Sequence, residues 1–105
     1  MTDYRIVLTT AGSADDADRI ATALVQAELA ACVNIVSPVT SVYRWKGSVQ
    51  KEQEWLLLIK TTASAFDRVS KKIRELHSYD LPECIQVPIE AGTAEYLNWI
   101  AENVK

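Results

Sequence analysis

Tyr4, Ile6 and Leu8 alternate with Arg5, Val7 and Thr9, and this period of two predicts a strand over residues 4–10. Past Gly12 the period lengthens: Ala17, Ile20, Ala21, Leu24 and Val25 fall on one helical stripe, with Asp18, Arg19, Gln26 and Glu28 mostly away from it. Ser13 is placed to cap this helix, and Asp15 and Asp16 suit the positive end of its dipole. From Cys32 to Thr62 the alternation returns as two long strands joined by a tight turn at Lys46-Gly47, with Pro38 positioned to bend or bulge the first. The second arm ends in Trp55-Leu56-Leu57-Leu58-Ile59. Five consecutive apolar residues in a strand require both of its faces to be shielded from water.

Ser64 is expected to cap a second helix with the stripe Phe66, Val69, Ile73 and Leu76. His77 to Glu83 is a loop, and Ile85, Val87 and Ile89 predict a fourth strand, which Pro88 assigns to a sheet edge. Thr93, after Gly92, caps a last helix carrying Tyr96, Leu97, Ile100, Ala101 and Val104. The order strand, helix, strand, strand, helix, strand is the ferredoxin-like βαββαβ pattern with an additional C-terminal helix: one α+β domain, residues 1–105, on an antiparallel sheet. Its first and third strands are then central and its second and fourth at the edges. Two helices cover one sheet face, and a third of about three turns is short for the other. A chain of 105 residues has few elements to spare, so the second face is expected to be covered by further copies in a closed homo-oligomer.

Composition narrows the chemistry. No apolar stretch approaches the ~18–20 residues that span a bilayer. The stretch Met1-Thr2-Asp3-Tyr4-Arg5 lacks the features of a signal peptide, so a cytoplasmic location is expected, without membrane attachment. A net charge of −3 gives no general attraction for nucleic acid, and the third strand lacks the aromatic and basic motif of an RNA-recognition sheet. The loop Thr9-Thr10-Ala11-Gly12 has no paired cysteines of a copper-chaperone kind, and no phosphate cradle, His-Glu-x-x-His or nucleophile elbow occurs. Enzymatic catalysis is unsupported.

The polar candidates lie in the loop His77, Tyr79, Asp80 and Glu83 and in the hairpin residues Trp45, Glu52, Glu54 and Lys60. Imidazole, thiolate and carboxylate all bind divalent metals, so His77 with Cys32, Cys84, Glu83 or Glu54 is a candidate set if folding or assembly gathers them. The plainer readings are a His77 that pairs with the end of the second helix, cysteines buried at strand starts, and Glu52 and Glu54 that solvate the ribbon. Cys32 and Cys84 should stand at opposite sheet edges, too far apart for a disulfide.

These stretches together resemble the CutA divalent-cation tolerance family over nearly the whole chain: Leu29-Ala30-Ala31-Cys32-Val33-Asn34, Ser41-Val42-Tyr43-Arg44-Trp45-Lys46-Gly47, Lys60-Thr61-Thr62 and His77-Ser78-Tyr79-Asp80-Leu81-Pro82-Glu83. The resemblance implies a compact homotrimer and a role in tolerance to copper and other divalent metals, with no metal needed for folding. It also implies a cleft between subunits, lined by Cys32, Trp45, Lys60, Tyr79 and Glu83, for a metal or a small anion. Family copper ligands fall by position on Thr9, Leu76 and His77, of which only His77 keeps the ligand type, and Ser78 replaces a usual proline. The alternative implied function is a trimeric scaffold that anchors another polypeptide and binds metal incidentally.

Overall fold

The computed structural model describes residues 3–105. The elements are β1 (Tyr4–Ala11), α1 (Ala14–Gln26), β2 (Cys32–Trp45), β3 (Ser48–Thr62), α2 (Phe66–Leu76), β4 (Ile85–Pro88) and α3 (Ala94–Glu102). All strand pairs are antiparallel, in the order β2-β3-β1-β4. The expected α+β arrangement is therefore present, with β1 and β3 central. No helix among the described residues is long and apolar enough to cross a membrane.

Helices α1 and α2 lie on one sheet face. Val7, Leu57 and Ile59 from the strands meet Ile20 and Leu24 of α1 and Val69 and Ile73 of α2, all fully buried. Each such side chain contributes about 1.5–3 kcal/mol by leaving water. The Ser13 hydroxyl accepts from the Asp16 N–H at 3.1 Å, capping α1 as its sequence predicts. Val25 lies at the margin of the stripe and is 42% exposed, because the chain turns away at Glu28, which takes φ 57°. Ser64 does not cap α2. A 3-10 turn over Ala63–Ala65 precedes that helix and makes Ala65 the cap residue, so the Ser64 hydroxyl lies 3.3 Å from Thr62 Oγ1 instead. Thr93 occupies the cap position of α3, but its side chain makes no capping bond.

The hairpin turns at Lys46 and Gly47, with φ of 50° and 83°, and its register shifts between Val36 and Val39, around Pro38. Cross-strand partners in a pleated sheet share a face. Register thus aligns Ile6, Leu8, Leu56, Leu58, Val36, Ile85 and Val87 on the face away from α1 and α2. Val36, Ile85 and Val87 are 42%, 53% and 45% exposed, and Ile6, Leu8, Leu56 and Leu58 are half-buried. Helix α3 packs against β3 and buries Ile100, yet leaves this face open within one chain.

Candidate functional site

Beyond the bulge at Pro38, the distal hairpin forms a two-stranded ribbon. The loop between α2 and β4 faces it across a cleft of about 800 Å³. Register sets Ser41 opposite Glu52, Tyr43 opposite Gln50 and Val39 opposite Glu54, so one ribbon face carries both carboxylates and Tyr43. Trp45 stands on the same face near the turn, and Tyr79, Asp80 and Glu83 line the cleft from the loop.

The carboxylates are held by phenols. Tyr43 Oη donates to Glu52 Oε1, and Tyr79 Oη donates to Glu54 Oε2 at 2.7 Å. Glu54 is buried at 7% exposure, where a carboxylate without a donor would be costly. Its expected role of solvating the ribbon is thereby corrected: the loop closes over it. Burial, followed by the hydrogen bond to Glu54 and its charge, pushes the Tyr79 phenol well above its ordinary range. Burial, followed by the charge of Glu54, also raises the Glu83 carboxyl, so the cleft favours a proton or another cation near Glu83.

His77 fastens this loop. Its ring Nε2 lies 2.6 Å from the Thr10 carbonyl, which can only accept, so Nε2 carries the proton. Its Nδ1 accepts from the Tyr79 N–H at 3.1 Å. Both nitrogens of a neutral imidazole are thus engaged with backbone. The ring does not serve the end of α2 as expected; it ties the loop to β1 and stacks on Tyr79 at 4.5 Å between centroids. Gly12 makes room for this arrangement, since a Cβ there would come 2.9 Å from Tyr79 Oη. Arg19, donating to the Leu76 carbonyl at 2.8 Å, adds a tie from α1.

Trp45, Tyr79 and Glu83 therefore share one cleft. Cys32 and Lys60 stand elsewhere, as cross-strand partners toward the other end of the sheet, with Lys60 Nζ donating to Asn34 Oδ1. One chain does not bring Cys32 to His77. Thr9 is fully buried in register with Leu57 on the helix side, and Leu76 packs against the core, so neither joins His77 in a ligand set. Among the described residues, no group of three or more His, Cys, Asp or Glu side chains is placed to hold a metal ion. Cys32 and Cys84 are half-buried rather than buried as expected, because each lies where an edge strand starts, and both are free thiols at opposite edges of the sheet. Tyr43, Thr10 and Gly12 were not singled out by sequence reasoning; the even spacing of Tyr43 with Trp45, opposite Glu52, was the available signal for the first.

Comparison with known proteins places this architecture. The profile of the CutA1 divalent ion tolerance protein matches residues 5–103. The chain belongs to the CutA1 family. A CutA1-family relative, the divalent-cation tolerance protein CutA of Thermus thermophilus, is 50% identical over 98 residues, covering 93% of this chain and 95% of that protein. A solved structure of the divalent cation tolerance protein from Thermus thermophilus matches with a TM-score of 0.95 at 48% identity, covering 97% of this chain and 99% of that one. The CutA structure from Xylella fastidiosa matches at 0.96 and 38% identity, over 99% of this chain and 100% of that one. That of the periplasmic divalent cation tolerance protein CutA from Archaeoglobus fulgidus matches at 0.94 and 37%, over 97% and 99%. These CutA1 relatives are named for tolerance of divalent cations, not for a reaction.

Proposed function

We propose that the protein is a homotrimeric, cytoplasmic binding protein for a divalent cation, copper among the candidates, held in a cleft completed by a neighbouring subunit. One observation carries the reading: the acidic cleft continues the open apolar sheet face. Thr10 follows Leu8 on β1 and Glu54 precedes Leu56 on β3, each pair two residues apart and so on one face. A copy that covers Leu8, Leu56 and Leu58 thereby reaches the border of the cleft.

In this reading, a neighbour's Cys32 and Lys60 join Trp45, Tyr79 and Glu83 across the subunit boundary. Cys32 is a soft thiolate donor, suited to zinc or to copper(I), and the carboxylates are hard ones. Glu52, Glu54 and Glu83 favour a cation over a small anion. His77 supports the site by fixing Tyr79, and can ligate directly only by releasing a backbone bond. A reducing cytoplasm keeps both thiols free.

Calorimetric titration with copper(II) chloride tests the proposal. Because burial and the charge of Glu54 raise the Glu83 carboxyl, a cation competes there with a proton, so affinity is expected to rise as pH increases through the Glu83 titration. Glu83→Gln is expected to remove that dependence and weaken binding about tenfold, the scale of one lost charge contact. Equal isotherms for wild type and Glu83→Gln at every pH would reject the cleft as the site. In the same experiment, a loss with His77→Ala that exceeds the loss with Glu83→Gln would reassign His77 as a ligand. The alternative, a trimeric anchor for another polypeptide, is favoured by Tyr96 and Trp99 of α3, exposed at 44% and 40% with ring centroids 5.5 Å apart. Stoichiometric recovery of a partner protein in the presence of chelator would support that reading instead.

A further inference from the structure

The geometry points to a second binding site, for a compact phosphate polyanion, on the helix layer. Arg68, Lys71 and Lys72 of α2 converge with Lys105 around a cavity of about 250 Å³. Its floor is apolar, made by Ala27 and Leu29 where the chain leaves α1. The walls are tied together by hydrogen bonds to main-chain oxygens. The Lys105 N–H donates to the Glu28 carbonyl at 2.9 Å, and Arg68 Nη2 donates to the Lys105 carbonyl at 2.6 Å.

The cations exceed any local need for them. Helix α1 has no basic residue in its last turn, so α2 supplies the charge that complements its carbonyl end. That end carries only about half a negative charge. Glu75 and the main-chain oxygen of Lys105, which holds Arg68, offset part of the charge of the four cationic side chains and leave Lys71 and Lys72 in surplus. Among the described residues, the side chains of Lys71, Lys72 and Lys105 are in no ion pair with an Asp or Glu. A positive surplus therefore collects at one place on a chain whose net charge is −3.

Size and donor type select the ligand class. The cavity is smaller than the ~300–1,000 Å³ of pockets that bury drug-sized molecules, so it suits a dense anion better than a whole nucleotide. Ammonium groups act as point charges for phosphate oxygens, and Arg68 keeps further donors on its guanidinium. Inorganic pyrophosphate, or the terminal phosphates of a larger molecule, share this chemistry. The site lies on α1 and α2, opposite the open sheet face, so covering that face leaves it accessible.

Calorimetry with sodium pyrophosphate at low ionic strength tests the assignment on the full chain without added metal. Lys71→Gln with Lys72→Gln is expected to weaken binding about tenfold, the scale of two charge-assisted hydrogen bonds on an exposed surface. The double variant Lys46→Gln with Lys51→Gln removes the same charge from the hairpin and is expected to bind as wild type does. Amide shifts on adding pyrophosphate should centre on residues 27–29 and 68–75. Orthophosphate in a parallel arm is expected to bind more weakly; equal affinity would make a single phosphoryl group the ligand and overturn the polyanion assignment. Absence of saturable binding, or equal loss in the two double variants, would overturn the site itself. Intact thermal transitions in both variants separate these outcomes from misfolding.

Discussion

Thr9 places a hydroxyl in a layer of Leu, Ile and Val side chains, where it is fully buried and Oγ1 has no hydrogen-bond partner. An unpaired buried hydroxyl costs about 1–3 kcal/mol, and Val has nearly the same shape without it. Thr9→Val is therefore expected to raise the thermal midpoint by several degrees, on the scale of about 4–8 °C per kcal/mol for a domain near this size. A lowered midpoint would mean that Oγ1 is satisfied in solution, by a buried water. The nearby loop shows how far single residues could be read. His77, Tyr79 and Glu83 were legible as a polar cluster, because polar residues gathered in one loop carry that signal. The tautomer and role of His77 were not, because both depend on Thr10, 67 residues away, and on a backbone N–H that no pattern specifies. Glu54 was missed as a buried group for a related reason: alternation assigns a face to it, but only the folded loop decides whether that face is wet.

At the scale of elements, the hairpin is the part whose sequence and structure agree most closely. Lys46 and Gly47 both take positive φ, forming the two-residue turn whose twist matches paired strands. A Cβ at Gly47 would meet nothing within 4 Å, so replacement there carries a conformational cost only. Gly47→Ala is expected to cost about 1 kcal/mol in denaturant unfolding, and Gly47→Asn less, because Asn tolerates the left-handed region. Equal stability for Gly47→Ala and wild type would show that the turn relaxes into another form. Strand order and helix stripes were legible because periods of two and 3.6 directly record which face is buried. Helix starts were less so. Ser13 caps α1, whereas Ser64 and Thr93 carry the same residue preference without a capping bond; at α2 a 3-10 turn displaces Ser64 from the cap position.

At the scale of the molecule, one sheet supports two different faces. The helix-covered face holds the core, and the opposite face presents Ile6, Leu8, Leu56, Leu58, Val36, Ile85 and Val87 to whatever covers it. The unbroken run Trp55-Leu56-Leu57-Leu58-Ile59 already demanded this, because alternate members face opposite ways and neither set is polar. Cleft and apolar face border one another, so in the proposed reading assembly and ligand binding are one question. Sedimentation of the purified protein at low micromolar concentration answers it most directly. The expected result is a single species of three times the 11.7 kDa chain mass. A well-folded species of one chain mass, persisting without self-association, would contradict both the covered face and the shared cleft.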